Sequence, residues 1–143
     1  MEDDSLFNLL GGRPTLEKVH KFFYDKLYEH PWLKGFFEGI DQKVIEDQQT
    51  DFMTSNMGGG KVYSGGFPKN VHRHMFIPNE LFDIRGKVLR ESLQECGVSK
   101  ELIERWLKIG DAFRHSIVKS DISQCEKQYK TDEIVNIPKP PGF

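Results

Sequence analysis

Residues 15–27 read TLEKVHKFFYDKL, and the spacing of their apolar members decides the fold. Leu16, Val19, Phe23 and Leu27 recur at intervals of three and four, which stacks them on one stripe of a helix with Tyr24 beside it. His30-Pro31 ends the pattern, because proline has no amide hydrogen to give to the helical ladder. Upstream, a short helix over residues 5–10 is expected to stop at Gly11-Gly12, and the patterned helix to begin near Thr15.

Working toward the C-terminus, the same period returns. After a turn through Trp32 and Phe37, Asp41 is placed to cap a helix carrying Val44, Ile45, Phe52, Met53 and Met57, which ends at Gly58-Gly59-Gly60. A loop follows to Phe67, and Pro68 is suited to be the first residue of a short helix with His72 one turn in. Pro78 ends that helix and opens a longer one over residues 79–96, with Leu81, Phe82, Val88, Leu89 and Leu93 inward. Ser99 caps the last helix, whose stripe of Leu102, Trp106, Ile109, Phe113 and Ile117 runs to about Lys119. Strict apolar-polar alternation is almost absent, so the fold class expected is all-α. Residues 1–119 form one helical domain, and 120–143, which close on Ile137-Pro138-Lys139-Pro140-Pro141, form a C-terminal tail, extended or partly ordered, lying on or off it.

Composition narrows the function. A chain of 143 residues fits one domain, and a domain that size buries roughly 70% of its unfolded surface. With 20 basic and 22 acidic residues the net charge is -2, which gives no drive toward nucleic acid or an anionic membrane. Cys96 and Cys125 have no metal-ligand spacing, residues 1–5 lack the basic start of a signal peptide, and no apolar run reaches membrane-spanning length. A cytoplasmic protein with a small-molecule or protein partner is the expectation. No phosphate-cradling loop, serine elbow, flavin domain or nicotinamide domain is recognisable. The carboxylates alternate with lysine and are read as lying on solvated faces.

Three polar residues interrupt apolar faces. Gln49 lies four after Ile45 and three before Phe52, so its amide either meets a partner inside or reaches water at the edge of the stripe. Tyr24 can pack its ring inward while its hydroxyl still needs a partner. With Gln49 it would form a polar end to an apolar cavity. His72 falls on the inward side of its short helix with Met75 and Phe76 one turn on, and its imidazole is a metal ligand, a satisfied core group or a surface group. His20, His30 and His115 have no second ligand at metal-binding spacing.

In order and spacing these landmarks resemble the truncated, two-over-two haemoglobins of group I. The match takes in Leu10-Gly11-Gly12, Phe23-Tyr24, Phe36-Phe37, Gln48-Gln49, Gly58-Gly59 with Tyr63-Ser64-Gly65, and His72 with Ile77 five and Phe82 ten residues on. It runs from Ser5 to Lys119 without gaps. The resemblance implies a two-over-two helical sandwich around haem b, with His72 as the proximal ligand of its iron and a vacant position for dioxygen, nitric oxide or carbon monoxide. It implies that Phe37 packs flat on the porphyrin, that Tyr63, Lys69 and Phe82 also border the cofactor, and that Tyr24 and Gln49 form the distal pair. Ile45 and Gln48 would line the distal side, where neither supplies an imidazole. The function implied is reversible binding of dioxygen, with turnover of nitric oxide to nitrate served by a separate reductase. A peroxidase-like or sulfide-handling haem enzyme, or a haem-free helical adaptor, are the alternatives.

The pattern is broken twice. Arg85 falls between Phe82 and Leu89 in an inward stripe where this family keeps an apolar residue, and a bare buried guanidinium is costly, so it is expected to snorkel outward. A reach to a haem propionate or to the ligand is the alternative. The tail beyond Lys119 is the second departure, placed to cover a tunnel mouth or to bind a partner.

Overall fold

A computed structural model describes residues 5–63, 72–127 and 133–141. Ser5 caps α1 (Leu6–Leu10), its hydroxyl accepting from the Asn8 amide at 3.2 Å. Gly11 (φ 107°) and Gly12 (φ 78°) then turn the chain through backbone conformations that other residues rarely adopt. α2 (Arg13–Glu29) begins two residues before the expected start, because Pro14 fits a first helical turn whose amides have no partner to lose. A 3-10 turn (Leu33–Phe37) leads to α3 (Gln42–Asn56), capped by Asp41 accepting from the Val44 amide at 3.1 Å.

Residues 64–71 lie outside the described part, and with them Lys69 and the expected start of a helix at Pro68; residues 72–74 form a turn. α4 (Asn79–Glu95) opens after Pro78, and α5 (Lys100–Ala112) is capped by Ser99. The last stripe does not run unbroken to Lys119. The chain tightens where the Phe113 amide donates to the Gly110 carbonyl at 3.0 Å, a shorter-range bond common at helix ends, and α6 (Arg114–Ile117) resumes as one turn.

Helix α2 packs on α3 and α4, α4 packs on α5, and α1 closes onto α2 and α5. Two helix pairs thus meet across the α2–α4 contact, around Leu16, Val19, Phe23, Leu27, Leu81, Leu93 and Trp106. Burying one such aliphatic or aromatic side chain contributes about 1.5–3 kcal/mol. Helix α3 keeps most of its expected stripe, with Met53 and Met57 buried and Ile45 and Phe52 packed against the core, but Val44 is exposed and Glu46, Thr50 and Thr54 are buried as well. Polar groups can be buried here because each is matched: the Thr54 hydroxyl donates to the Thr50 carbonyl at 2.7 Å, and Thr50 Oγ1 shares a 2.7 Å hydrogen bond with His20 Nδ1. Glu46, expected on a solvated face, is buried and accepts from Gln42 Nε2 at 2.9 Å.

Beyond residue 119, Glu126 and Val135 meet the 72–77 segment and Ile137 meets Trp32. Val135 exchanges hydrogen bonds with the 72–77 segment, its amide donating to the His74 carbonyl and its carbonyl accepting from the Phe76 amide, both at 2.8 Å. Trp32 Nε1 donates to the Ile137 carbonyl at 2.9 Å, and a Cβ at Gly35 would stand 2.8 Å from Ile137 Cδ1. Glycine at 35 therefore leaves the space that Ile137 takes. Truncation after residue 132 should lower unfolding free energy by about 2–3 kcal/mol, since it exposes apolar contacts and removes the bond from the Trp32 indole to the Ile137 carbonyl. Urea unfolding measures this, and an unchanged midpoint would show that the segment adds nothing to stability. Among the described residues no helix is long and apolar enough to cross a membrane.

Candidate functional site

The ends of α2, α3 and α4 and the segment before α4 enclose a cavity of about 300 Å³, within the range of small-ligand and cofactor sites. Helix α2 brings Tyr24, the 3-10 turn brings Phe37, and α3 brings Ile45, Gln48 and Gln49. Tyr63, His72 and, from α4, Phe82 and Arg85 complete the polar and aromatic part of the wall. Every site residue anticipated from sequence within the described part faces this one cavity; Lys69 lies outside that part. Further apolar residues line it, Met75, Trp106, Phe113 and Ile117 among them. Their helical stripes marked them as inward but did not say toward which space.

Burial prepares Tyr24 as a neutral donor. The residue is 4% exposed, its ring meets Phe37 edge-on at 5.8 Å, and desolvation pushes its pKa up to about 12 against a small opposing pull from Arg85. Among the described residues its hydroxyl has no hydrogen-bond partner, and neither do the side-chain amides of Gln48 and Gln49. A buried hydroxyl is normally satisfied, whereas Gln49 is partly buried and Gln48 is exposed to water. The open Tyr24 phenol, with the Gln49 amide in the same wall, is suited to a polar guest. Phe37 is held by stacking on Tyr28 at 5.1 Å, and Tyr63 by an edge contact with Phe52 at 5.1 Å and a bond from its amide to Ser55 Oγ at 3.2 Å.

His72 is partly buried on a segment fixed from outside the cavity. Lys119 Nζ donates to the His72 and Met75 carbonyls, each at 2.8 Å, and the Lys119 amide donates to the Ile77 carbonyl at 2.9 Å. Burial lowers the Lys119 pKa. Arg73 pairs with Glu126 at 2.9 Å, and the Glu126 amide returns a bond to the Arg73 carbonyl at 2.8 Å. Residues after α6 thus tie down the backbone that carries the imidazole, a role no local pattern in residues 119–137 announces.

Arg85 corrects the expectation of outward snorkelling. Its guanidinium lies over the Phe23 ring at 5.1 Å and the Phe82 ring at 5.9 Å, and it lines the cavity. The residue as a whole is partly buried, while loss of water around the guanidinium lowers its pKa from the ordinary value. Stacking on two aromatic faces offsets part of that cost, by about 2 kcal/mol where such a contact is desolvated. His20, given no site role from sequence, is buried between Thr50 and the Trp106 ring, 5.6 Å away.

The family model for bacterial-like globins matches residues 5–119. A group 1 truncated haemoglobin of Tetrahymena pyriformis is 30% identical over 105 residues, covering 73% of this chain and 87% of that protein. One from Mycolicibacterium paratuberculosis is 29% identical over 106 residues, covering 74% and 78%. The crystal structure of the Tetrahymena pyriformis truncated haemoglobin in its Fe(III) form superposes with a TM-score of 0.77 at 28% identity, covering 82% of this chain and all of that one. Family match, sequence identity and helical arrangement agree: this chain belongs to the bacterial-like globins and resembles the two-over-two truncated haemoglobins of group 1, haem proteins whose iron binds diatomic gases.

Proposed function

We propose that the chain holds haem b through His72 and reversibly binds dioxygen on the Tyr24 side of the cofactor. The observation that carries this reading is one apolar cavity lined by a single described imidazole together with a phenol and two amides that lack hydrogen-bond partners among the described residues. The residues fit the group: Phe37 and Phe82 offer aromatic surface to a flat apolar disc, and His72 offers a nitrogen ligand. When bound, the haem supplies a ferrous iron with one position for a diatomic gas.

The protein residues then set what that position favours. The Tyr24 hydroxyl, kept protonated by burial, donates to the guest, and the Gln49 amide donates to the guest or orients the phenol. Ile45 gives shape without a proton. Gln48 stands in the same wall as a neutral amide and brings no competing imidazole. Phe37 and Phe52 exclude water. Conversion of nitric oxide and dioxygen to nitrate consumes one electron per cycle, so this catalytic use draws on a separate reductase.

The absorption spectrum of the reduced protein, with and without carbon monoxide, tests the reading. A Soret band that shifts with the gas is the expected result, and a chain that stays colourless after haem is added excludes it. In Tyr24→Phe the rate of dioxygen loss should rise by about tenfold, the equivalent of one hydrogen bond of about 1.4 kcal/mol. An unchanged rate removes the tyrosine from ligand binding.

A further inference from the structure

Arg85 is the least explained group in the cavity. Its position three residues after Phe82 and four before Leu89, both buried, aims it inward along α4. Arg13, Arg73, Arg90 and Arg114 each hold a carboxylate within 3.0 Å. Among the described residues Arg85 has neither an ion pair nor a hydrogen bond, only the faces of Phe23 and Phe82. A guanidinium carries five N–H donors, and aromatic faces satisfy none of them in the plane where an acceptor sits. The nearby buried carboxylate, Glu46, is engaged by Gln42 and does not line the cavity. The other polar residues of the same wall, Tyr24 with Gln48 and Gln49, offer a hydroxyl and amide donors but no negative charge.

A cation in a largely apolar cavity, with the open Tyr24 hydroxyl near it, is complementary to a negative guest. We propose that the cavity is a site for a small inorganic anion, of the class of azide, nitrite or hydrosulfide, held by the Arg85 guanidinium at the end it shares with the Tyr24 hydroxyl. The inference rests on the haem reading, which would place the cofactor in this same cavity with Tyr24 and Arg85 in its wall. It adds to that reading a preference by charge. Carbon monoxide, which carries little charge when bound, gains little from a guanidinium, whereas an anion gains a counter-charge in a region where water screens weakly. Binding therefore relieves the desolvation of Arg85 itself.

Azide and nitrite titrated into the ferric protein, and carbon monoxide into the ferrous protein, give the test by absorbance. In Arg85→Met, which keeps length and removes charge, azide and nitrite affinity should fall tenfold or more while carbon monoxide affinity stays within twofold. Arg85→Leu supplies the same comparison with a residue of the apolar kind usual at this position in the family. Arg85→Lys should recover most of the anion affinity, since the charge is retained. Azide affinity within twofold of the unmodified protein, in a variant that shows its Soret band and binds carbon monoxide, overturns the anion site and leaves the haem reading intact. If in that case haem transfer to a second apoprotein is several-fold faster, the guanidinium instead serves a carboxylate of the cofactor. A wild-type chain that takes up no haem overturns both.

Discussion

Replacing His72 by glycine should remove the protein's hold on iron: haem affinity is expected to fall by on the order of a hundredfold or more, and millimolar imidazole should restore the ferrous and carbonyl spectra. Losing a residue that only orients a metal ligand costs ten- to a hundredfold, and losing the ligand itself costs at least as much. Rescue by imidazole separates a lost ligand from a lost fold, because a small molecule can refill the vacated volume but cannot rebuild packing. The surrounding geometry favours rescue. The segment is held at the His72 and Met75 carbonyls by Lys119, at Arg73 by Glu126 and at His74 and Phe76 by Val135, none of which depends on the imidazole. A His72→Gly protein with unchanged spectra and carbon monoxide uptake in the absence of imidazole would falsify the assignment.

The second large effect is on acid stability. His20 is buried, and desolvation, helped by the positive charges of Arg85 and Arg13, pulls its pKa down to about 3 from an ordinary 6.5. The groups around it give no compensating negative charge: Thr50 shares its Nδ1, and Trp106 and Tyr24 present rings. The folded protein therefore keeps this imidazole neutral while the unfolded chain takes up a proton as soon as pH drops through 6.5. Stability contributed by neutral His20 is complete above that pH and is lost as pH falls toward about 3, by as much as about 5 kcal/mol. Urea unfolding between pH 7 and pH 4 should show this slope in the unmodified protein and a shallower one in His20→Gln, where nothing titrates. Every other group is the same in the two proteins, so the difference between the curves isolates His20. Parallel curves would remove it as the source.

The two cases differ in how they were legible. Position 72 stood out because a histidine on an inward face, at fixed distances from Ile77 and Phe82, matches a known ordered pattern. Position 20 did not, although it lies on the same stripe period as Val19, Phe23 and Leu27. A histidine at such a spacing is equally consistent with a buried neutral ring and an exposed one, and only Thr50, thirty residues away, decides between them. Arg85 was misread for a related reason. Cost argued that a lone guanidinium would leave the core, but Phe23 from another helix and Phe82 from its own supply two faces that make the inward position tolerable.

Residue order alone determined the helical class, most helix ends, the glycine turn at Gly11-Gly12 and the set of residues that gather at the cavity. The helices, their ends and the glycine turn follow from local rules, a 3.6-residue period, capping side chains and the backbone limits of proline and glycine, whereas the cavity set followed from the resemblance in order and spacing to the truncated haemoglobins. Tertiary structure alone decided that α3 also buries Glu46, Thr50 and Thr54, that Arg85 turns inward, and that residues after α6 clasp the segment bearing His72. Each of those outcomes depends on a partner distant in sequence, and an isolated segment carries no information about what will be brought against it.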